Sequence, residues 1–227
     1  LANSYLTLDL YPKSLELYTE ITKNYPQSIH AKDSYAKIGM IYYNMGKEKD
    51  ALLYLKKVVE TYPGTEEAKS ALNNIKTIYI ESNNVDEFIA YTKKIPEAEI
   101  TQSEQDSISY QAIENLYMNG NCQKAIDGFR EYISKYPDGA FYSSANYYLA
   151  DCLIKDSQKQ EALQAYENII QKPKNEFTEK AILKAANLNF ENKNYETALT
   201  EYCLLEQTAE ISNHKLQALL GAMECYY

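Results

Sequence analysis

Few residues of this chain have the type and spacing that catalysis or metal binding requires. The two histidines, His30 and His214, have no second histidine or cysteine at a metal-ligand spacing. Acidic pairs such as Glu66–Glu67 stand where a helix is expected to begin, and the helix dipole accounts for them without acid–base chemistry. No nucleophile motif, zinc-protease motif or glycine-rich phosphate loop is present. The sequence therefore predicts no enzyme, no cofactor and no metal site.

The histidines and cysteines are predicted to have structural roles. His30 falls near a helix start and His214 in a turn-like stretch, so both are interpreted as surface or packing residues. The four cysteines contain no C-x-x-C pair, which disfavours zinc and redox motifs. Cys152 and Cys203 fall on helix faces expected to be buried or half-buried, where a free cysteine behaves as a small apolar residue. The fold then needs no disulfide, and the cysteines do not decide the compartment.

The composition favours long helices and disfavours two classes of partner. The 227 residues include only 7 glycines and 6 prolines, too few for the tight turns of an all-β fold. The net charge of -9 opposes approach to phosphate groups, so we expect no nucleic-acid partner. The longest apolar runs are far too short to span a bilayer, so we expect no membrane insertion by this segment.

A small residue recurs at an almost fixed interval. The steps between successive members are 37, 74, 37 and 36 residues, for Ser14, Ala51, Ala125, Ala162 and Ala198. A large apolar residue follows each member four positions later: Tyr18, Leu55, Phe129, Tyr166 and Tyr202. A proline follows most members after eleven or twelve positions: Pro26, Pro63, Pro137 and Pro173. A fixed period of this length is typical of a stacked repeat array, which counts as one extended domain.

The clearest unit, 32–65, identifies the kind of repeat. Its motif is carried by Tyr35, Ile38, Gly39, Tyr42, Gly46, Ala51, Leu55 and Pro63. This pattern resembles the tetratricopeptide repeat family, and the resemblance extends along essentially the whole chain. It implies an all-α fold, a right-handed solenoid of about 13 helices stacked as antiparallel pairs. The Tyr-Pro stops, with cap residues Ser28 and Thr65 after two of them, resemble the subgroup in bacterial envelope proteins such as outer-membrane assembly lipoproteins and Tol-Pal-associated periplasmic coordinators.

The repeat pattern divides the chain into one array with a degenerate unit. The expected repeats are 1–30 (partial), 31–65, 66–100 (degenerate), 101–139, 140–175, 176–211 and 212–227 (partial). In the degenerate unit Phe88 takes the small-residue position, its helix (about 85–95) stops at Pro96, and Thr101-x-x-Glu104 forms a capping box. We expect a local irregularity there that acts as a hinge. Neither end is polar as a terminal cap would be, so we expect a fragment of a longer protein.

Each repeat consists of a first and a second helix, and the resemblance implies that the first helices line a concave groove. The register then predicts these partner-binding residues: Met40, Tyr43, Asn44, Asn73, Thr77, Tyr110, Glu114, Tyr117, Met118, Tyr147, Asp151 and Asn187. The same register includes Ile80, Ile154, Leu183 and Phe190. For each tyrosine, packing inside the array is as good an explanation as partner binding, and for Leu183 and Phe190 it is the better one. Tyrosine and methionine suit a recognition surface. Met40 and Ala36 stand where relatives have the polar residues that clamp a C-terminal carboxylate, so a chaperone-tail binder is disfavoured. Asp33, Glu114 and Asp151 instead favour a partner with lysine or arginine.

The leading functional hypothesis is a non-catalytic scaffold that binds a protein or peptide segment in this groove, in bacterial cell-envelope assembly. The expected location is the periplasm or the outer membrane, with the cytoplasm as the alternative. A second hypothesis is an accessory segment of a larger enzyme or regulator, in which the array orients another domain. Self-association through the array ends is a third.

Overall fold

The structure, a computed structural model, describes residues 1–95 and 98–226, and this part of the chain is all-helical. Thirteen helices and no strand occur in it, which confirms the predicted fold class. The first six helices are α1 Ala2–Thr7, α2 Tyr11–Asn24, α3 Ile29–Asn44, α4 Glu48–Thr61, α5 Glu66–Glu81 and α6 Val85–Thr92. The remaining seven are α7 Gln102–Met118, α8 Cys122–Lys135, α9 Tyr142–Lys155, α10 Lys159–Ile170, α11 Thr178–Glu191, α12 Tyr195–Thr208 and α13 Ser212–Glu224.

The helices fall into two compact units. The first is Leu1–Gln105 and the second begins at Asp106, so the division lies in the first turn of α7. Within each unit consecutive helices are joined by short turns and pack against each other as antiparallel neighbours. The first helices of successive repeats also touch, α3 with α5 in the first unit and α11 with α13 in the second. Each unit is therefore a stack of helix pairs, as the repeat pattern predicts.

The small-residue positions are the points where helices cross. All five are 0% exposed: Ser14, Ala51, Ala125, Ala162 and Ala198. A Cβ atom added at Gly39 would lie 2.7 Å from Cγ of Leu55, so this glycine is required where α3 meets α4. Gly221 on α13 holds the equivalent place, and a Cβ atom there would lie 2.3 Å from Cζ of Tyr202. The predicted rule of small residues at crossings is confirmed.

Enlarging one of these residues gives a direct test of the register. Ala125→Leu should lower the free energy of unfolding by about 1–3 kcal/mol, because the larger side chain is forced into a filled crossing. Urea denaturation followed by circular dichroism measures the change, with Gln123→Leu at an exposed position of the same helix as the matched control. An unchanged midpoint for Ala125→Leu would contradict the assigned register.

The turns after α1, α3, α5, α7, α9 and α11 each contain one residue with a positive φ angle. The six residues have φ between 55° and 75°: Asp9, Gly46, Asn83, Gly120, Ser157 and Lys193. Each stands two positions beyond the last residue of its helix, and successive members are 36 or 37 residues apart. The left-handed residue lets the chain reverse within a very short turn. The period therefore sets the turn geometry as well as the core.

The degenerate unit differs from its neighbours in the expected place. Phe88 is buried at 2% exposure and its ring centroid lies 6.2 Å from that of Tyr79. Helix α6 has only eight residues and ends at Thr92, before the predicted end near Ile95. The predicted stop at Pro96 lies outside the described residues, and the hinge stays a prediction.

The predicted helix caps are present with one exception. The amide of Thr101 donates to Oε2 of Glu104 at 2.8 Å, and the amide of Glu104 donates to Oγ1 of Thr101 at 3.2 Å, which confirms the capping box. Thr65 accepts from the amide of Ala68 at 3.2 Å. Ser28 holds the N-cap position of α3, but its side chain makes no capping hydrogen bond.

Two expectations for the cysteines are wrong. Cys122 and Cys152 form a disulfide across the α8–α9 hairpin, with Cα atoms 5.2 Å apart. Cys152 is fully buried, as predicted, but Cys203 is exposed because it faces outward on α12, next to the buried Tyr202. The structure therefore contains a covalent cross-link that the sequence interpretation did not require.

The histidines have the predicted kind of role, with one change of place. His30 is exposed near the start of α3. His214 lies in the first turn of α13 rather than in a turn-like stretch, because α13 already begins at Ser212. Its ring contacts the buried carboxylate of Glu179.

A search of the described helices finds none with both the length and the apolar character needed to cross a bilayer.

Candidate functional site

The groove residues predicted in the first unit make contacts with their own neighbours. On α3, Met40 is half-buried and Asn44 exposed. The hydroxyl of Tyr43 donates to Oε2 of Glu81 at 2.6 Å, which joins α3 to α5. This hydrogen bond, together with burial, raises the pKa of Tyr43 to about 12. Tyr43 therefore already serves the stacking of two first helices.

On α5 the predicted residues are exposed and locally bonded. Oγ1 of Thr77 donates to the carbonyl oxygen of Asn73 one turn earlier, at 3.1 Å. Ile80, in the same register, is buried at 7% exposure. These positions present a polar helix surface to solvent.

The second unit contains a cleft of about 750 Å³. It lies where α7, the first two turns of α9 and the two connections that precede α9 and α11 meet. We call it the aromatic cleft, because it is lined by five rings and four charged groups: Tyr110, Phe141, Tyr142, Tyr148 and Phe177, with Glu114, Asp138, Lys172 and Glu176. Pro137, Gly139, Ala140 and Pro173 supply backbone edges.

The rings of the cleft support one another. Tyr110 and Phe141 are stacked, with centroids 4.4 Å apart and planes 8° from parallel. Tyr148 meets Phe177 edge to face at 6.1 Å. Behind Tyr148, the ring of Tyr117 is stacked at 4.6 Å. Aromatic pairs of this kind hold their partners in one orientation, so the cleft is lined by rings in fixed positions.

The charged groups of the cleft are of two kinds. Nζ of Lys172 lies 2.9 Å from Oδ1 of Asp138, 2.9 Å from the carbonyl oxygen of Pro137 and 4.8 Å from the ring centroid of Tyr142. Glu114 accepts a hydrogen bond from the hydroxyl of Tyr110 at 2.8 Å, and Glu176 is exposed. The charges of Lys172 and Asp138 therefore compensate each other, whereas neither glutamate forms an ion pair with a lysine or arginine of the described residues.

The glutamates both act on one tyrosine of the cleft lining. Burial raises the pKa of Tyr148, and the negative charges of Glu114 and Glu176 raise it further. Both carboxylates are thus close enough to Tyr148 for their charges to act on one ring.

A second polar network lies on the far side of the Tyr148 ring. Oδ2 of Asp151 accepts from the hydroxyl of Tyr117 at 2.9 Å and from Nζ of Lys155 at 2.7 Å. Burial and this hydrogen bond raise the pKa of Tyr117 to about 12. Because Lys155 already neutralises Asp151, this carboxylate is less available to a partner than the sequence predicts.

The predicted groove residues of the second unit therefore have different surroundings. Tyr110 and Glu114 line the cleft, and Tyr147 packs beside it with its ring 5.3 Å from Phe177. Met118 is 63% exposed at the end of α7. Asn187 accepts a hydrogen bond from the hydroxyl of Tyr202 at 2.6 Å, a contact between α11 and α12.

Most of the cleft-lining residues were not predicted. Sequence reasoning placed the binding surface on first-helix faces, whereas the turns before α9 and α11 supply much of the lining. A signal for it was present, because Phe141 and Phe177 both stand at the N-cap of a first helix, one period apart. A bulky aromatic residue at an N-cap makes no capping hydrogen bond, so its repetition indicates another use.

No group of histidine, cysteine and acidic side chains suited to a metal ion occurs within residues 1–95 and 98–226.

Comparison with known proteins identifies the repeat type. A family model described as a tetratricopeptide repeat-like domain matches residues 89–215, and a tetratricopeptide repeat model matches 33–65. The structure reported for the functional characterization of Pseudomonas aeruginosa pilF is 16% identical, covers 99% of this chain and 92% of that one, and superposes with a TM-score of 0.41. PilW, titled a widely conserved type IV pilus biogenesis factor, is 15% identical over 97% of this chain and 95% of its own, with a TM-score of 0.43. The yeast Sti1 TPR2AB domain in complex with pHSP90 is 14% identical over 100% and 96%, with a TM-score of 0.43. No curated protein matches the chain.

Proposed function

Because the chain belongs to the tetratricopeptide repeat-like domain family, we propose that it is a non-catalytic interaction scaffold that binds a polypeptide segment in the aromatic cleft of its second unit. The observation that carries the proposal is the convergence of five rings on one open cleft of about 750 Å³. Tyrosine and phenylalanine rings supply large contact areas and lose little conformational entropy when they bind. Rings from three elements around one cleft provide such a surface without any catalytic group.

A polypeptide fits this cleft better than a small molecule does. Small-molecule sites bury most of their ligand's surface, whereas this cleft is open along the turns that border it. Its rim carries the carboxylates of Asp138 and Glu176, which can accept hydrogen bonds from an extended chain. The excess of negative charge disfavours a nucleic-acid occupant.

The proposed site keeps part of the predicted groove and moves its centre. Tyr110 and Glu114 remain in it, whereas Tyr43 and Asn187 make contacts between helices of their own unit. The centre lies at the turns before α9 and α11, where side chains from several elements meet.

We also propose that the protein acts in an oxidising compartment, the periplasm or the outer-membrane surface of a bacterium, rather than in the cytoplasm. The Cys122–Cys152 disulfide supports this location, because cytosolic thiols are normally kept reduced. The Tyr-Pro stops add the resemblance to bacterial envelope proteins.

Peptide selection tests the binding function without a known partner. Random twelve-residue peptides displayed on phage are selected on the immobilised protein, and the affinities of the enriched peptides are measured by fluorescence anisotropy. Tyr142→Ala should weaken them at least about tenfold, since buried aromatic contacts commonly contribute more than 1 kcal/mol to binding. Tyr142 is half-buried at the cleft, where its ring lies 4.8 Å from Nζ of Lys172, and it is not one of the fully buried core residues, so this change should spare the fold.

Two controls make the result specific. Tyr195→Ala removes an exposed ring from α12, away from the cleft, and should leave binding unchanged. If Tyr142→Ala binds fully while Tyr43→Ala loses binding, the site lies on the first unit and the cleft proposal is wrong.

A further inference from the structure

We propose that the aromatic cleft receives an arginine side chain of the bound segment, with its guanidinium group against the ring of Tyr148 and between the carboxylates of Glu114 and Glu176. This inference rests on the proposed function and specifies the chemistry of the partner. It follows from the charge of the cleft, from the contacts its own lysines make and from the geometry that two separated carboxylates require.

The charge of the cleft is negative where the occupant would enter. Lys172 is the only cation among the cleft residues described, and Asp138 compensates it at 2.9 Å. Within the described part of the chain, no lysine or arginine forms an ion pair with Glu114 or Glu176. Two carboxylates that line one cleft without a cation favour an occupant that brings a positive charge.

The chain itself shows how a cation binds here. The ammonium group of Lys172 lies over the face of Tyr142, with a carboxylate and a carbonyl oxygen completing its contacts. Outside the cleft lining, Nζ of Lys180 on α11 lies 5.5 Å from the ring centroid of Phe177. Ring faces attract cations through their quadrupole, and the attraction grows when water is excluded.

The inner rings have no such cation. Among the described residues, no lysine or arginine lies over Phe141 or Tyr148. Tyr148, Glu114 and Glu176 all line the cleft, so the combination of ring and carboxylate that binds Lys172 recurs there without a cation among the described residues. The partner would supply it.

A guanidinium group matches this arrangement better than an ammonium group does. It is planar, it stacks on aromatic faces, and its five N–H donors can reach two carboxylates at once. Glu114 comes from α7 and Glu176 from the turn before α11, so a group whose donors point in several directions suits them better than one compact charge.

Three matched peptides test the inference directly. The probes are the acetylated and amidated peptides Gly-Ser-Gly-X-Gly-Ser-Gly, in which X is arginine, lysine or citrulline, the neutral isostere of arginine. They are titrated into the ¹⁵N-labelled protein and followed by two-dimensional NMR. We expect the arginine peptide to shift the amides of 138–148 and 174–177, and the citrulline peptide to bind at least about tenfold more weakly.

Charge-matched variants locate the effect. Glu114→Gln combined with Glu176→Gln should weaken the arginine peptide at least about tenfold, while the glutamine at 114 can still accept the hydrogen bond from Tyr110. Glu131→Gln combined with Glu196→Gln removes the same charge from exposed positions outside the cleft and should leave binding unchanged. Equal loss in both double variants would show a general charge effect and overturn the inference.

The outcomes separate this inference from the function on which it rests. If citrulline or lysine binds as tightly as arginine, the guanidinium assignment is wrong, and the scaffold function stands as long as the phage-selected peptides still depend on Tyr142. If the arginine peptide shifts no cleft amide and the selected peptides ignore Tyr142→Ala, both proposals fail.

Discussion

Reduction of the Cys122–Cys152 disulfide should lower the free energy of unfolding of the second unit by about 3 kcal/mol. The bridge joins the first residue of α8 to the buried face of α9 across a sequence separation of 30 residues. A cross-link of that span restricts the unfolded chain and so contributes roughly 2–4 kcal/mol to the stability of the folded protein. This is a large part of the stability of a domain this size.

Urea denaturation with and without a phosphine reductant measures the effect. The double variant Cys122→Ala/Cys152→Ala should match the reduced protein and should not respond to the reductant. Cys203 and Cys225 are free in both proteins and provide an internal reference. An alkylating reagent should label these two thiols in the denatured, unreduced protein, and labelling of all four would contradict the disulfide.

The disulfide also shows what sequence reasoning can and cannot reach. Cys122 and Cys152 stand at comparable distances on either side of the turn at 136–141, so an antiparallel hairpin brings them together. The period predicts that hairpin. A disulfide also requires that both cysteine side chains point toward each other. The period does not define the direction of a side chain around its helix to within one residue, so the pairing was not predicted.

The core and the crossings follow from the sequence because they depend on the period. Positions such as those of Ala125 and Gly39 face a closely packed helix in successive repeats. The limited space at these positions therefore appears in the sequence as a small residue that recurs with the period. The left-handed turn residues recur just as strictly, yet Ser157 and Lys193 are not residue types that indicate such a backbone. Packing of the two flanking helices imposes the geometry there.

The candidate site was predicted only in part for a related reason. Tyr110 and Glu114 lie on a helix face whose direction the register gives. Phe141, Lys172 and Phe177 lie in or next to turns, where side-chain direction depends on the turn's own conformation. Contacts among several turns cannot be derived from helical periodicity.

The second large effect concerns a carboxylate that holds the last helix in place. Glu179, at the start of α11, is 6% exposed. It accepts the amides of Glu210 and Ile211 at 2.8 and 3.3 Å, and Nδ1 of His214 lies 2.9 Å from its Oε2. Asp106 has the same role two repeats earlier, where it accepts the amide of Ala140 at 2.8 Å. In both cases a first helix fixes the turn that leads toward the next first helix.

Glu179→Gln should therefore lower the free energy of unfolding by about 3 kcal/mol at neutral pH. The substitution keeps the shape but replaces one acceptor oxygen by an N–H₂ group. In one orientation of the amide this group faces the backbone N–H of Glu210, and in the other it faces the backbone N–H of Ile211 and the ring of His214. Buried donors without an acceptor cost about 1–3 kcal/mol each, and the lost charge adds to this. Hydrogen exchange should speed up first in α13, because its N-terminal turn depends on Glu179. Glu196→Gln, in the first turn of α12 and exposed, is the matched control.

The pH dependence gives an independent check on the same group. Burial alone would raise the pKa of Glu179, but the amide of Glu210, the ring of His214, the amide of Ile211 and Lys174 outweigh it and lower the pKa to about 2 from a reference of 4.5. Because the folded pKa is the lower one, the stabilisation is fully present above pH 4.5 and is lost as the pH falls toward 2. The difference in stability between the native protein and Glu179→Gln should accordingly shrink as the pH falls below 4.5. A difference that persists unchanged to pH 2.5 would mean that Glu179 acts through its shape and not through its charge.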